Sequence, residues 1–137
     1  YRIDRFNPKS SYHLSLGLDY PNAADRKRSQ AEKLGGDIFI HGSIRTVGCL
    51  PITDDKIKEL YLYAVLAKEN GQKDIPVYVF PFAMNEANQT QFSRRYAERP
   101  DLLAFWQNLR QGYVRFVQTQ QALKWQATEN GEYRIGE

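Results

Sequence analysis

The chain is poor in sulfur and imidazole: one cysteine (Cys49), one methionine and two histidines (His13 and His41) among 137 residues. One cysteine excludes an internal disulfide framework. No metal-ligand set and no cofactor motif is read, so neither group is expected. Long apolar runs are lacking too. No stretch approaches the roughly 18 residues that a membrane-spanning helix needs, and no signal peptide is visible. Charge of one sign is also scarce. Nineteen Lys and Arg stand against sixteen Asp and Glu, a formal +3, and the densest basic group is Arg26-Lys27-Arg28, just after Asp25. A nucleic-acid surface carries a stronger stripe, so no nucleic-acid partner is expected. There is no internal repeat and no low-complexity segment. What remains is 42% hydrophobic and 13% aromatic, enough for one domain with a real core.

The scarce residues converge on one stretch, Ile38 to Asp55, reading IFIHGSIRTVGCLPITDD. Ile38, Phe39 and Ile40 read as a buried strand that delivers His41 at its end. Gly42, Ser43 and Gly48 suit a bent loop, and Thr53-Asp54-Asp55 is a helix start. A thiol becomes a good nucleophile when a base or a stabilising field accompanies it. The eight-residue separation suggests a hairpin-like return bringing imidazole and thiol face to face. Backbone N–H groups of Gly48 and Cys49, with Val47, are candidates for an oxyanion hole. The plainer alternative is a small buried cysteine and a satisfied core histidine. No carboxylate is evident to orient His41: Asp37 lies four residues earlier, and a backbone carbonyl or Ser43 is the other candidate. Arg45, inside the loop, is either a fork for a substrate carboxylate or a solvated loop residue. Thr46 either donates to substrate or stabilises the turn.

The rest of the chain reads as a mixed α and β scaffold. Tyr1 to Phe6 and Tyr12 to Leu18 alternate and pair as an antiparallel hairpin across Asn7-Pro8-Lys9-Ser10. His13, on the polar face, reads as structural. Ala23 to Leu34 reads as a short polar helix stopped by Gly35-Gly36. A helix capped by Thr53 runs to Asn70-Gly71 with Ile57, Leu60, Tyr61, Ala64 and Ala67 on one face. Ile75 to Phe82 reads as a strand, Asn85 to Ala97 as a weak helix, and Asp101 to about Gln120 as a long helix capped by Asp101. Its aromatic stripe is core, with Trp106 a candidate roof for the cleft. Tyr133 to Ile135 closes as a short strand after a turn at Glu129 to Glu132.

His41-Gly42-Ser43 followed by Thr46-Val47-Gly48-Cys49 resembles the active-site signature of the L,D-transpeptidase (YkuD domain) family. Leu50-Pro51-Ile52-Thr53-Asp54-Asp55, the opening Tyr1 to Ser10 and Ile75 to Phe82 resemble its YafK/DpaA-like branch. The likeness runs from about residue 1 to about residue 117. It implies an α+β fold with a mixed, mostly antiparallel sheet. Residues 1–82 would hold the core and active site, and 83–137 a C-terminal helical extension, in one catalytic domain. It also implies further strands upstream. The chain opens with Tyr1 rather than Met, which reads as a processed or trimmed product, any signal sequence removed.

The resemblance implies a cysteine enzyme of the periplasm acting on the peptide stems of peptidoglycan. Cys49 would be the nucleophile, His41 the base, Gly48 part of the oxyanion hole, and Gly42, Ser43, Arg45 and Thr46 the substrate contacts. Acyl transfer through a thioester is the leading reading. Hydrolysis of a diaminopimelate–lysine link to a wall-anchored lipoprotein shares the same acyl-enzyme. A non-catalytic wall-binding module and an unrelated thiol hydrolase stay open. Two departures bear on substrate register: Leu50-Pro51 follows the cysteine where many members have Arg or Asn, and the His-to-Cys loop is short.

Overall fold

The computed structural model describes residues 1–136. Its elements are β1 (Ile3–Asn7), β2 (Ser15–Leu18), α1 (Ala23–Arg28), β3 (Phe39–His41), β4 (Leu50–Pro51), α2 (Asp54–Glu69), α3 (Glu86–Arg95), α4 (Pro100–Thr119), β5 (Trp125–Ala127) and β6 (Tyr133–Ile135). The fold class is α+β with a mixed sheet, as expected. The chain forms two compact units, Tyr1–Asn22 with Glu32–Tyr78, and Ala23–Ala31 with Val79–Glu137.

In the first unit the sheet order is β1-β2-β3-β4. The β1/β2 and β2/β3 pairs are antiparallel, and β3/β4 is parallel. The register sorts side chains by face, because strand side chains alternate. One row, Phe6, Leu16, Ile40 and Leu50, is aligned across all four strands and belongs to the hydrophobic core. Helix α2 completes that core with Ile57 and Ala64, and Phe6 meets Tyr61 edge-on at 5.5 Å. The opposite face carries the rows Arg5, Gly17, Phe39 and Asn7, Ser15, His41, Pro51. Burying the core face thus aims His41 away from the core helix.

Three local expectations change. The hairpin-like return is instead a loop between parallel strands, β3 and β4. Left-handed backbone at Ser43 (φ 62°) and Gly48 (φ 90°) turns it within a few residues. Ile75 to Phe82 forms no strand. It lies along the first strand through one bridge, Arg2 to Pro76, with Ile3 N–H donating to Ile75 O and Val77 N–H to Tyr1 O. Pro76 sits between the two bonding residues, where its missing N–H costs the pairing nothing. Thr53 occupies the N-cap of α2, but at φ 74° its side chain makes no capping bond.

In the second unit α1 ends at Arg28, short of Leu34. Trp106 is buried, and its ring meets Phe82 and Tyr96 edge-on at 5.1 and 5.2 Å. Those contacts make it core of this unit. A strand the sequence had not disclosed, β5, pairs with β6, and Asn108 fastens β6 to α4 by bonds to Tyr133 N–H and O. Pro100 starts α4, with Arg99 at the cap. Asp101 lies inside the first turn and pairs with Arg99 at 2.8 Å.

Ile57→Ala removes a fully buried side chain from the first core. It should destabilise the fold by about 2–5 kcal/mol, read from denaturant midpoints at unchanged slope. The Arg99 side chain, donating to Asp101, lowers that carboxyl to about 2. A carboxyl NMR titration should therefore show Asp101 ionised throughout the range where an ordinary aspartate protonates. The pair's contribution is present above the ordinary value and is lost only as pH falls through about 2.

Candidate active site

His41 ends β3 with 2% of its surface exposed. Its Nδ1 lies 2.6 Å from the carbonyl oxygen of Gly42. A carbonyl only accepts, so Nδ1 carries the proton and donates. In the neutral ring the free lone pair is then on Nε2. The orienting group is a backbone carbonyl, one of the two candidates read from sequence. Asp37 is not that group: its carboxylate holds Arg5 Nη1 at 2.6 Å.

The ring of Tyr12 lies 4.5 Å from the imidazole, tilted by 34°. Next to it His13 adopts φ 74°, and Leu14 N–H donates back to Tyr12 O. This tight turn places the Tyr12 carbonyl 2.5 Å from where a Cβ on Gly42 would stand. Asp54 Oδ1 is 2.5 Å from the same point and accepts from Ser43 N–H at 2.7 Å. Residue 42 must therefore be glycine for the loop to close. Of the four non-glycine residues with positive φ among the described residues, three (His13, Ser43 and Thr53) frame this loop, so strained backbone is concentrated here.

Cys49 is partly exposed and unpaired. It lies in the bend just before β4, whose first residue, Leu50, pairs with Ile40. Its thiol donates to the Asp37 carbonyl at 3.8 Å. Among the described residues no hydrogen bond joins sulfur to imidazole. Thr46 Oγ1 accepts from Cys49 N–H at 2.9 Å and donates to Cys49 O at 3.1 Å. The Thr46 hydroxyl therefore braces the turn, and the Cys49 N–H proposed for an oxyanion hole is occupied. Gly48, at φ 90° with open space where a Cβ would be, carries no such bond among the described residues. Ser43 Oγ accepts from Arg45 N–H at 3.5 Å. The Arg45 side chain is exposed and has no carboxylate partner among the described residues, while Ile44 and Val47 beside it are largely in solvent.

No family model matches the chain. Two curated relatives do, each bearing the name "Putative L,D-transpeptidase YafK", from Escherichia coli K12 and from Escherichia coli O157:H7. Each is 31% identical over 121 residues, covering 87% of this chain and 46% of the relative. The chain belongs to the L,D-transpeptidase family. It spans about half the length of the curated relatives it matches. No helix of the described residues is long and apolar enough to cross a membrane. Nor, among those residues, does any group of three His, Cys, Asp or Glu side chains converge as for a metal ion.

Two groups at this L,D-transpeptidase-like site escaped sequence reading, Tyr12 and Asp54. Asp54 had a signal, an acid at a helix start, but that signal pointed to the helix dipole. Tyr12 had none. Gly42→Ala should destabilise the protein by about 1–3 kcal/mol through contacts with backbone and carboxylate that cannot yield. Gly48→Ala, strained in φ but meeting no atom, should cost about 1 kcal/mol. Parallel denaturation curves of the two variants check the order.

Proposed function

We propose that the chain is a cysteine acyltransferase acting on diaminopimelate-containing peptidoglycan stems, outside the cytoplasm, with Cys49 as nucleophile and His41 as base. The observation that carries this reading is the state of His41. It is buried at the end of β3, with Nδ1–H tied to a carbonyl and Nε2 left as acceptor, and the partly exposed thiol stands just before β4, the strand paired in parallel with β3.

In the resting protein the thiol donates to Asp37 O. Substrate binding turns the thiol toward His41, in keeping with catalytic hydrogen bonds that tighten only in the bound complex. The thiol proton passes to Nε2, and the thiolate attacks the carbonyl carbon of a stem amide. The oxyanion takes the Gly48 N–H. One such donor is worth about 3–4 kcal/mol of barrier. The C–N bond breaks, the imidazolium gives its proton to the departing amine, and a thioester remains on Cys49. An acceptor amine then loses a proton to Nε2 and attacks the thioester, and the thiolate leaves and is reprotonated. The free Arg45 guanidinium, flanked by exposed Ile44 and Val47, is suited to hold a substrate carboxylate bidentately. Gly42 and Ser43 supply the backbone around the base, and Thr46 holds the nucleophile's turn.

Incubation with wall fragments, with products read by mass, tests the reading. A new stem-to-stem linkage is expected. A freed lysine-ended peptide would instead assign hydrolysis of a lipoprotein tether. Cys49→Ala should lower turnover by about 10³-fold or more while wall binding persists. Turnover unchanged by that substitution would sink the nucleophile assignment. A carbapenem should add its mass to Cys49 alone.

A further inference from the structure

We propose that Asp54 is a positioning residue for His41, acting through the Gly42–Ser43 peptide as the carboxylate that fixes and polarises the imidazole. This rests on the reading of His41 as base. In the familiar triads a carboxylate accepts directly from the histidine Nδ1–H. Here that proton goes to Gly42 O at 2.6 Å. The other end of the same peptide group, Ser43 N–H, donates to Asp54 Oδ1 at 2.7 Å. One peptide plane is thus held between an anion and an imidazole.

The arrangement does more than tether a loop. An anion at the N–H end shifts electron density in the peptide toward its oxygen, making that oxygen a better acceptor for Nδ1–H. Hydrogen bonds in such a chain strengthen one another by about 10–30% each. Asp54 is at the first position of α2. Among the described residues no Lys, Arg or His side chain pairs with it, so its charge is directed to the peptide.

The neighbouring bonds keep the plane from rotating. Gly42 N–H donates to Leu14 O at 3.2 Å, and Thr53 N–H to Ser43 O at 3.1 Å. Glycine at 42 is what lets Oδ1 come this close. Asp54 is itself exposed, so solvent screens its charge. The effect on rate should be far smaller than loss of a direct carboxylate partner, about tenfold.

The test uses substrate-free protein and NMR of the His41 ring nitrogens, beside steady-state kinetics on wall fragments. Wild type should show the Nδ1-protonated tautomer. Asp54→Asn keeps an oxygen for Ser43 N–H but removes the charge. It should melt as wild type and keep the tautomer, yet move the Nδ1–H resonance upfield and lower kcat about tenfold at unchanged KM. Asp54→Ala should mix the tautomers and lose more of kcat. A wild-type Nδ1–H resonance and kcat in Asp54→Asn would reduce Asp54 to a loop tether and overturn the proposal. Should Asp54→Ala fail to fold, the Asn variant decides alone. If His41→Gln and Cys49→Ala keep full turnover, the enzymatic reading fails. The Nδ1–H resonance of Asp54→Asn still reports whether the carboxylate acts on the ring.

Discussion

The Gly42–Ser43 peptide plane is the constraint around which this half of the molecule is arranged. Its oxygen receives His41 and its N–H reaches Asp54. Each end demands something of the fold. The carbonyl end needs a residue without a side chain, because the Tyr12 backbone and a carboxylate crowd the place a Cβ would take. The N–H end needs α2 to begin at Asp54, and the helix is held there by Ile57, fully buried in the core one turn later. The positive φ of Ser43 is the conformational cost of satisfying both. Packing on one face of the sheet thereby fixes the chemistry on the other.

Much of this was legible in the chain. The apolar run before His41, the glycines of the loop and the acidic helix start mark strand, turn and helix in order, and the structure has them so. The two faces of the sheet follow from alternation around Leu16 and Ile40. Contacts decided by tertiary closure were not legible. Asp54 meets Ser43 across eleven residues of separation, and Tyr12 covers His41 across two strands. Neither pairing has a periodic signature. The parallel pairing of β4 was hidden for a related reason. Two residues, Leu50–Pro51, are too short to show alternation. Ile75 to Phe82 shows the converse, a β-like composition that forms a single bridge, Arg2 to Pro76.

The resting arrangement around Cys49 is one of commitments already made. Its N–H is taken by Thr46, and its thiol by Asp37 O. Thr46 gives the Cys49 turn rigidity at the expense of one backbone donor, while Gly48 is exposed. Arg45, with Ile44 and Val47, stands on the same loop without internal partners for its charge. Neighbours on this loop thus differ: the Arg45 side chain is exposed, and Thr46 is occupied in bracing the turn.

A final consequence lies in Gly17. Because it has no side chain, the guanidinium of Arg5 can pass over it from the first strand to the third, resting 5.0 Å above Phe39 and gripping Asp37. Asp37 is the residue on whose carbonyl the sulfur rests. A residue with any side chain at position 17 would meet the Arg5 guanidinium, so this glycine is what lets the first strand's arginine reach the residue beside the sulfur.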